Sequence, residues 1–285
     1  MESDDDNCGC LTKRRKSSEK NLRSSTVNFT LAMTLPLGPV AHPEYFLGKR
    51  VLVTGATRGI GKNLVKNLHY LGAQVIACGR TDADLDTLCA EVSGIQPLIF
   101  DVTKWSTIER KLHSIGDVDF LVNCAGISYL GSILNATEEQ FDEIFNTNIK
   151  GLFVITKVFA EQLIKRKAKG SIVSVSSQSS TSGIRRHGLF GASKAAVEAF
   201  TRCAAVEFAP HDIRINCVSP SVILSKTARH IWNKAKDSKG FVSKIPMKRF
   251  GEVHEAVQGI LFLLSDKSSM ITGCTMPVDG GFSAC

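Results

Sequence analysis

Tyrosine is scarce in this chain: its 285 residues include three, Tyr45, Tyr70 and Tyr129, beside two tryptophans. Any chemistry that needs a phenol must draw on those positions. Long apolar runs are lacking too. Stretches such as ILFLLS at 260–265 fall far short of the roughly 18–20 residues that span a bilayer, which excludes a transmembrane helix. Met1 to Asn7 is acidic and no cationic stretch leads into an apolar segment, so neither a secretory signal nor a mitochondrial presequence is expected, and the expected compartment is the cytosol. With only 8 prolines, 43% apolar and 22% charged residues, the chain is not disordered throughout. The nine cysteines form an odd set without paired metal spacing and sit mostly in apolar segments, as free thiols do in a reducing compartment; no metal site is expected.

The net charge of +8 raises the question of nucleic acid. Residues 1–46 hold six acids and six bases, so the whole excess lies in 47–285, where it is scattered without a basic stripe. Nucleic-acid binding is therefore not expected, and an anionic cofactor accounts for part of the excess. KRRK at 13–16 reads as a solvated run, and CGC at 8–10 specifies neither acylation nor a metal.

Residues 1–46 start acidic, turn basic and Ser-rich, and pass Pro36, Gly38, Pro39 and Pro43 without periodicity, which predicts a disordered extension. From Leu47 short β-branched runs alternate with amphipathic stretches. Strands are predicted at 50–54, 73–79, 96–101, 119–125, 171–177, 213–219 and 274–278. Helices are predicted at 62–71, 138–167, 193–208 and 252–264, with a capping box from Thr137 to Gln140. Strands apolar throughout are buried on both faces, which calls for a parallel sheet between helical layers. The expected fold is one doubly wound α/β domain over 47–285, a Rossmann fold.

The first strand runs into TGATRGIG, Thr54 to Gly61. Gly55 permits a tight turn, Gly59 lets backbone approach a pyrophosphate, and Gly61 allows close packing of the helix whose N-terminus faces the anion. Thr57, Arg58 and Ile60 complete the loop. At the end of the second strand, where a carboxylate would grip a ribose 2′-hydroxyl, stand Gly79, Arg80 and Thr81. A guanidinium suits a 2′-phosphate, and Arg58 offers a second cation, so NADP(H) is the expected cofactor. The alternative is that Arg80 is solvated and Asp82 merely caps a helix.

TGATRGIG, NCAG at 123–126, NTN at 146–148, SVSS at 174–177 and SK at 193–194 together resemble the short-chain dehydrogenase/reductase family. The likeness covers Leu47 to Cys285 and is strongest to its L-xylulose and dicarbonyl reductase branch, through LGKRVLVTG, GRTDADLDTL, SVSSQSS, ILFLLSD and PVDGGFSAC. The resemblance implies an oxidoreductase acting on a small carbonyl, dicarbonyl or sugar ketone. It also implies Ser177 as the carbonyl donor, Lys194 as the ribose and electrostatic group, and Asn148 as anchor of a proton-relaying water. Asp101 would meet the adenine amine, Val102 the ring, Asn123 the adenine ribose, and Pro220, Val222 and Ser225 the nicotinamide carboxamide. A homotetramer would pack through the helix from Thr137, the 193–208 helix and the last strand.

The position four before Lys194, where the family carries its proton-donating Tyr, is Phe190. Phe has nothing to ionise, and a positioned general acid contributes about 10²–10⁴ in rate. Tyr129, after NCAG, and His187, three residues before Phe190, are the candidate substitute acids. The rival expectation is an NADP(H)-binding pseudoenzyme with a regulatory or scaffold role. A third is a nucleotide-regulated partner-binding protein that works through its tail.

Overall fold

All seven expected strands form, and each pairs in parallel with its neighbours in a computed structural model that describes residues 43–234 and 238–285. They are β1 (Arg50–Thr54), β2 (Gln74–Gly79), β3 (Gln96–Ile99), β4 (Phe120–Asn123), β5 (Gly170–Val175), β6 (Ile213–Pro220) and β7 (Thr275–Val278). The order is β3-β2-β1-β4-β5-β6-β7, so the winding reverses between β1 and β4 and opens a crevice beyond their carboxyl ends. Val51 and Val53 face one core with Leu64 and Leu261, while Leu52 faces the other with Leu121, Phe159 and Ile172. Burial on both sides is what the uninterrupted apolar runs required.

The helices are α1 (Gly59–Tyr70), α2 (Asp82–Glu91), α3 (Trp105–Ser114), α4 (Glu138–Phe145), α5 (Gly151–Lys165), α6 (Gly188–Phe208), α7 (Lys226–Lys234), α8 (Ser238–Ser243) and α9 (Val253–Leu264). The Thr137–Gln140 capping box opens α4 as expected. Two expectations need correction. The single helix over 138–167 is broken by a π-helical turn, Asn146–Lys150, which carries Asn148 into the interior. Helix α6 starts at Gly188, not Ser193, so Phe190 lies in its first turn; His187 is the N-cap without a side-chain cap bond, so the sequence carries no start signal. The segment between β6 and α9 contains α7 and α8.

The domain also begins earlier than Leu47. Pro43–Phe46 form a 3-10 turn, Phe46 is fully buried, and Tyr45 stacks on Phe120 with ring centroids 5.8 Å apart. Burial raises the Tyr45 pKa. Two aromatics beside a proline have no periodicity, so only the core they fill reveals them. The rest of the expected extension, with KRRK and CGC, lies outside the described residues. No helix among the described residues is long and apolar enough to cross a membrane.

Candidate active site

Loops at the carboxyl ends of the strands enclose a cleft of about 560 Å³. Its phosphate end is the turn after β1. Gly55 (φ 63°) packs so closely on the strand-end loop after β4 that an added Cβ would lie 2.8 Å from the Ala125 backbone. Gly59 (φ 56°) has no neighbouring atom within 4 Å on its side-chain face, which leaves its backbone open to the cleft. Thr57, Arg58 and Ile60 line the cleft with it. Gly61 lies behind them; a Cβ there would strike the Gly55 carbonyl, so its role is to seat α1 against the turn. The first turn of α1 carries no acidic residue, and its free N–H groups favour an anion.

Arg80 and Thr81 line the same cleft. The Arg58 and Arg80 side chains have no hydrogen-bond or ion-pair partner among the described residues and are exposed. Thr81 occupies the N-cap of α2 and donates to Asp84 Oδ2 at 2.7 Å, so the capping role proposed for Asp82 does not arise. Asp84 is a cleft carboxylate that the sequence reading missed, and one hydroxyl already engages it. Two free guanidiniums beside an open glycine turn fit a pyrophosphate with a 2′-phosphate. Asp101 and Val102 form part of the wall, and Asp101 Oδ1 accepts from the Thr103 N–H at 2.9 Å.

Asn123 lies deeper than the residues that line the cleft. It is buried behind the cleft, its Nδ2 donating to Thr156 Oγ1 at 3.0 Å and lying 3.4 Å from Ser174 Oγ, which ties β4 to α5 and β5, while its Oδ1 has no hydrogen-bond partner among the described residues. Pro220, Val222 and Ser225 do line the cleft. Ser225 Oγ accepts from the Ala228 N–H at 3.2 Å and so also caps α7. Helices α7 and α8 add an aromatic wall unforeseen in the sequence: Trp232 and Phe241, with ring centroids 5.3 Å apart.

At the reaction end Ser177, Phe190 and Lys194 converge on the cleft. Ser177 Oγ accepts from the Ser179 N–H at 3.2 Å, which leaves its hydroxyl proton for a ligand oxygen. Lys194 is 6% exposed, and its Nζ donates to the Val175 carbonyl at 2.7 Å. Burial lowers its pKa, opposed by Cys124, Cys217 and Glu198. Asn148 is fully buried. Its Oδ1 accepts from Ile127 N–H at 2.9 Å, and its Nδ2 donates to Ile127 O and Ser193 Oγ. Both Nδ2 protons are thus taken within the protein, and the side chain locks the loop after β4 to α6.

The two substitute acids separate. His187 stands on the cleft wall, with Nδ1 3.0 Å from the Arg185 carbonyl. Tyr129 is not among the lining residues and folds its ring against Gly131.

The family model described as enoyl-(acyl carrier protein) reductase matches residues 55–283. L-xylulose reductase of Homo sapiens is 44% identical over 243 residues, covering 85% of this chain and 100% of that protein. The chain belongs to the short-chain dehydrogenase/reductase family. Carbonyl reductase (NADPH) 2 of Sus scrofa is 39% identical over 239 residues, 84% of this chain and 98% of the relative. Among solved structures of the family fold, a Tyr-to-Phe variant of ElxO with NADPH bound superposes with a TM-score of 0.79 at 30% identity, covering 84% of this chain and 100% of the other. Among the described residues no group of three or more His, Cys, Asp or Glu could hold a metal ion.

Proposed function

We propose that this chain binds NADPH and reduces a small carbonyl, dicarbonyl or sugar-ketone compound, at a rate held down by Phe190. The observation that carries the reading is one continuous cleft with the open Gly59 turn and free Arg80 at one end and Ser177 and Lys194 at the other. Relatives named L-xylulose reductase and carbonyl reductase support the substrate class. The ElxO variant supports a family site that retains NADPH after a Tyr-to-Phe change.

The glycine turn, Arg58, Arg80 and Lys194 would hold the dinucleotide, which supplies a hydride. Ser177 donates its hydroxyl to the substrate carbonyl and polarises it. Lys194 places an ammonium beside the oxygen that gains charge. Phe190 offers no proton. At His187 the Arg185 carbonyl can only accept, so the Nδ1–H is committed to it and Nε2 is the nitrogen left for a substrate. Standing on the cleft wall, His187 is the substitute acid this geometry favours over Tyr129.

Phe190 itself favours a second reading, an NADP(H)-binding pseudoenzyme with a regulatory or scaffold role. NADPH binding by fluorescence, run beside NADPH oxidation against a carbonyl panel, separates the two. Binding with slow turnover that His187→Ala abolishes supports the reductase; binding without turnover supports the pseudoenzyme. We further propose a homotetramer in the cytosol. The exposed Phe141 and Phe153 on α4 and α5 and Val206 on α6 give the helices an apolar face larger than a monomer needs.

A further inference from the structure

Helix α6 carries a carboxylate that no step above uses. Glu198, one turn beyond Lys194, is 4% exposed and has no ion-pair partner within 4 Å among the described residues. Its Oε1 instead accepts two hydroxyls, from Ser176 Oγ at 2.6 Å and Ser180 Oγ at 2.5 Å. Those serines flank Ser177, which caps a three-residue 3-10 turn, Gln178–Ser180. Ser180 Oγ also lies 2.7 Å from the Ser177 carbonyl, and Ser176 Oγ 3.4 Å from that of Lys194. A buried carboxylate is costly unless hydrogen-bonded, and charge-assisted bonds of this length are the strong ones.

We propose that Glu198 is a positioning residue: its carboxylate clamps the Ser177 turn onto α6 through Ser176 and Ser180, and provides the negative charge that keeps the Lys194 ammonium in place. The second half rests on the reading that the cleft binds NADPH through Lys194.

Lys194 is faced by Cys124 from the loop after β4, Cys217 from β6 and Glu198 from its own helix. Burial pushes the Cys124 thiol up to about 11 and the Cys217 thiol up to about 12. Both are neutral near pH 7, and Glu198 stands four residues beyond Lys194 on the same helix.

Glu198→Gln keeps the volume and removes the charge. NADPH affinity should then fail at lower alkaline pH than in the parent, with its limb moved down by about one pH unit. Amides 177–181 should exchange with solvent about tenfold faster. Ser176→Ala with Ser180→Ala leaves the charge and removes the clamp, so exchange should rise while the limb stays. Glu198→Asp should restore the limb. A Glu198→Gln protein that melts lower yet keeps the parent limb and exchange overturns the proposal, as does a double serine variant with parental exchange. A parent that does not bind NADPH sinks the functional reading, while the exchange measurement still decides whether the clamp exists.

Discussion

Lys194 holds its ammonium 5.8 Å from the centre of the Phe190 ring and 2.7 Å from the Val175 carbonyl oxygen. The helical spacing of four puts the two side chains on one face, where the ring offers the cation a π surface in place of an ionisable oxygen. Phe190→Tyr adds one oxygen with little change in volume. Carbonyl reduction should rise by about 10²-fold or more, the low end of a positioned acid's contribution, with NADPH affinity nearly unchanged. A Phe190→Tyr protein that binds NADPH and stays at the parent rate means that the surrounding pocket, and not the missing hydroxyl, limits turnover.

The preference for NADPH over NADH should reside in Arg80. Its guanidinium is unpaired at the cleft wall, and no carboxylate stands in its place to hold a 2′-hydroxyl. Arg80→Asp should weaken NADPH by about ten- to a hundredfold and spare NADH. Equal titration midpoints for the two cofactors in the unmodified protein would contradict this.

Residues 1–42 should be dispensable for folding, and Phe46 should not. Phe46 is fully buried and meets Phe120 edge-on at 6.0 Å. Phe46→Ala should lower unfolding free energy by about 3–5 kcal/mol. A chain starting at Pro43 should melt with the full-length protein, and thermal denaturation of both checks the pair of statements.

Acid should loosen α9. Arg249 grips Glu255 through two bonds, at 2.7 and 2.6 Å, and Glu255 Oε2 accepts from the Glu252 N–H at 2.8 Å to close the capping box. The side-chain bond to Arg249 lowers the Glu255 pKa from 4.5 to about 2. A depressed carboxyl pKa stabilises the fold above the unfolded value and loses that contribution as pH falls toward 2. Because the pair is largely solvated, Glu255→Gln should cost only about 0.5–1 kcal/mol at pH 6 and almost nothing near pH 2, measured by denaturant titration.

In solution the protein should be a tetramer. Static light scattering at micromolar concentration checks this, and a monomeric mass refutes it. Phe153→Glu on α5 should shift the mass downward if that face is the interface.

The sheet was legible because its signals are local: β-branched runs buried on both faces, a glycine turn between strand and helix, and a Thr–Gln cap. The glycines at 55 and 59, the arginine at 80 and the Ser177, Phe190 and Lys194 set could be placed from spacing and family likeness alone. Several assignments had to wait for the fold. Asn123 and Asn148 carry the same amide whether they meet a ligand or a neighbour, and only the packing of α5 and α6 shows that their Nδ2 groups bond inside. The start of α6 has no cap residue, and the π turn at 146–150 leaves the helical apolar period nearly intact, so neither boundary is written in composition. Glu198 looks like any helix-surface acid until β5 brings Ser176 and Ser180 against it. Burial and hydrogen-bond partners depend on segments far apart in the chain, whereas turn geometry and periodicity depend on neighbours, and that difference divides what the sequence determined from what the tertiary structure decided.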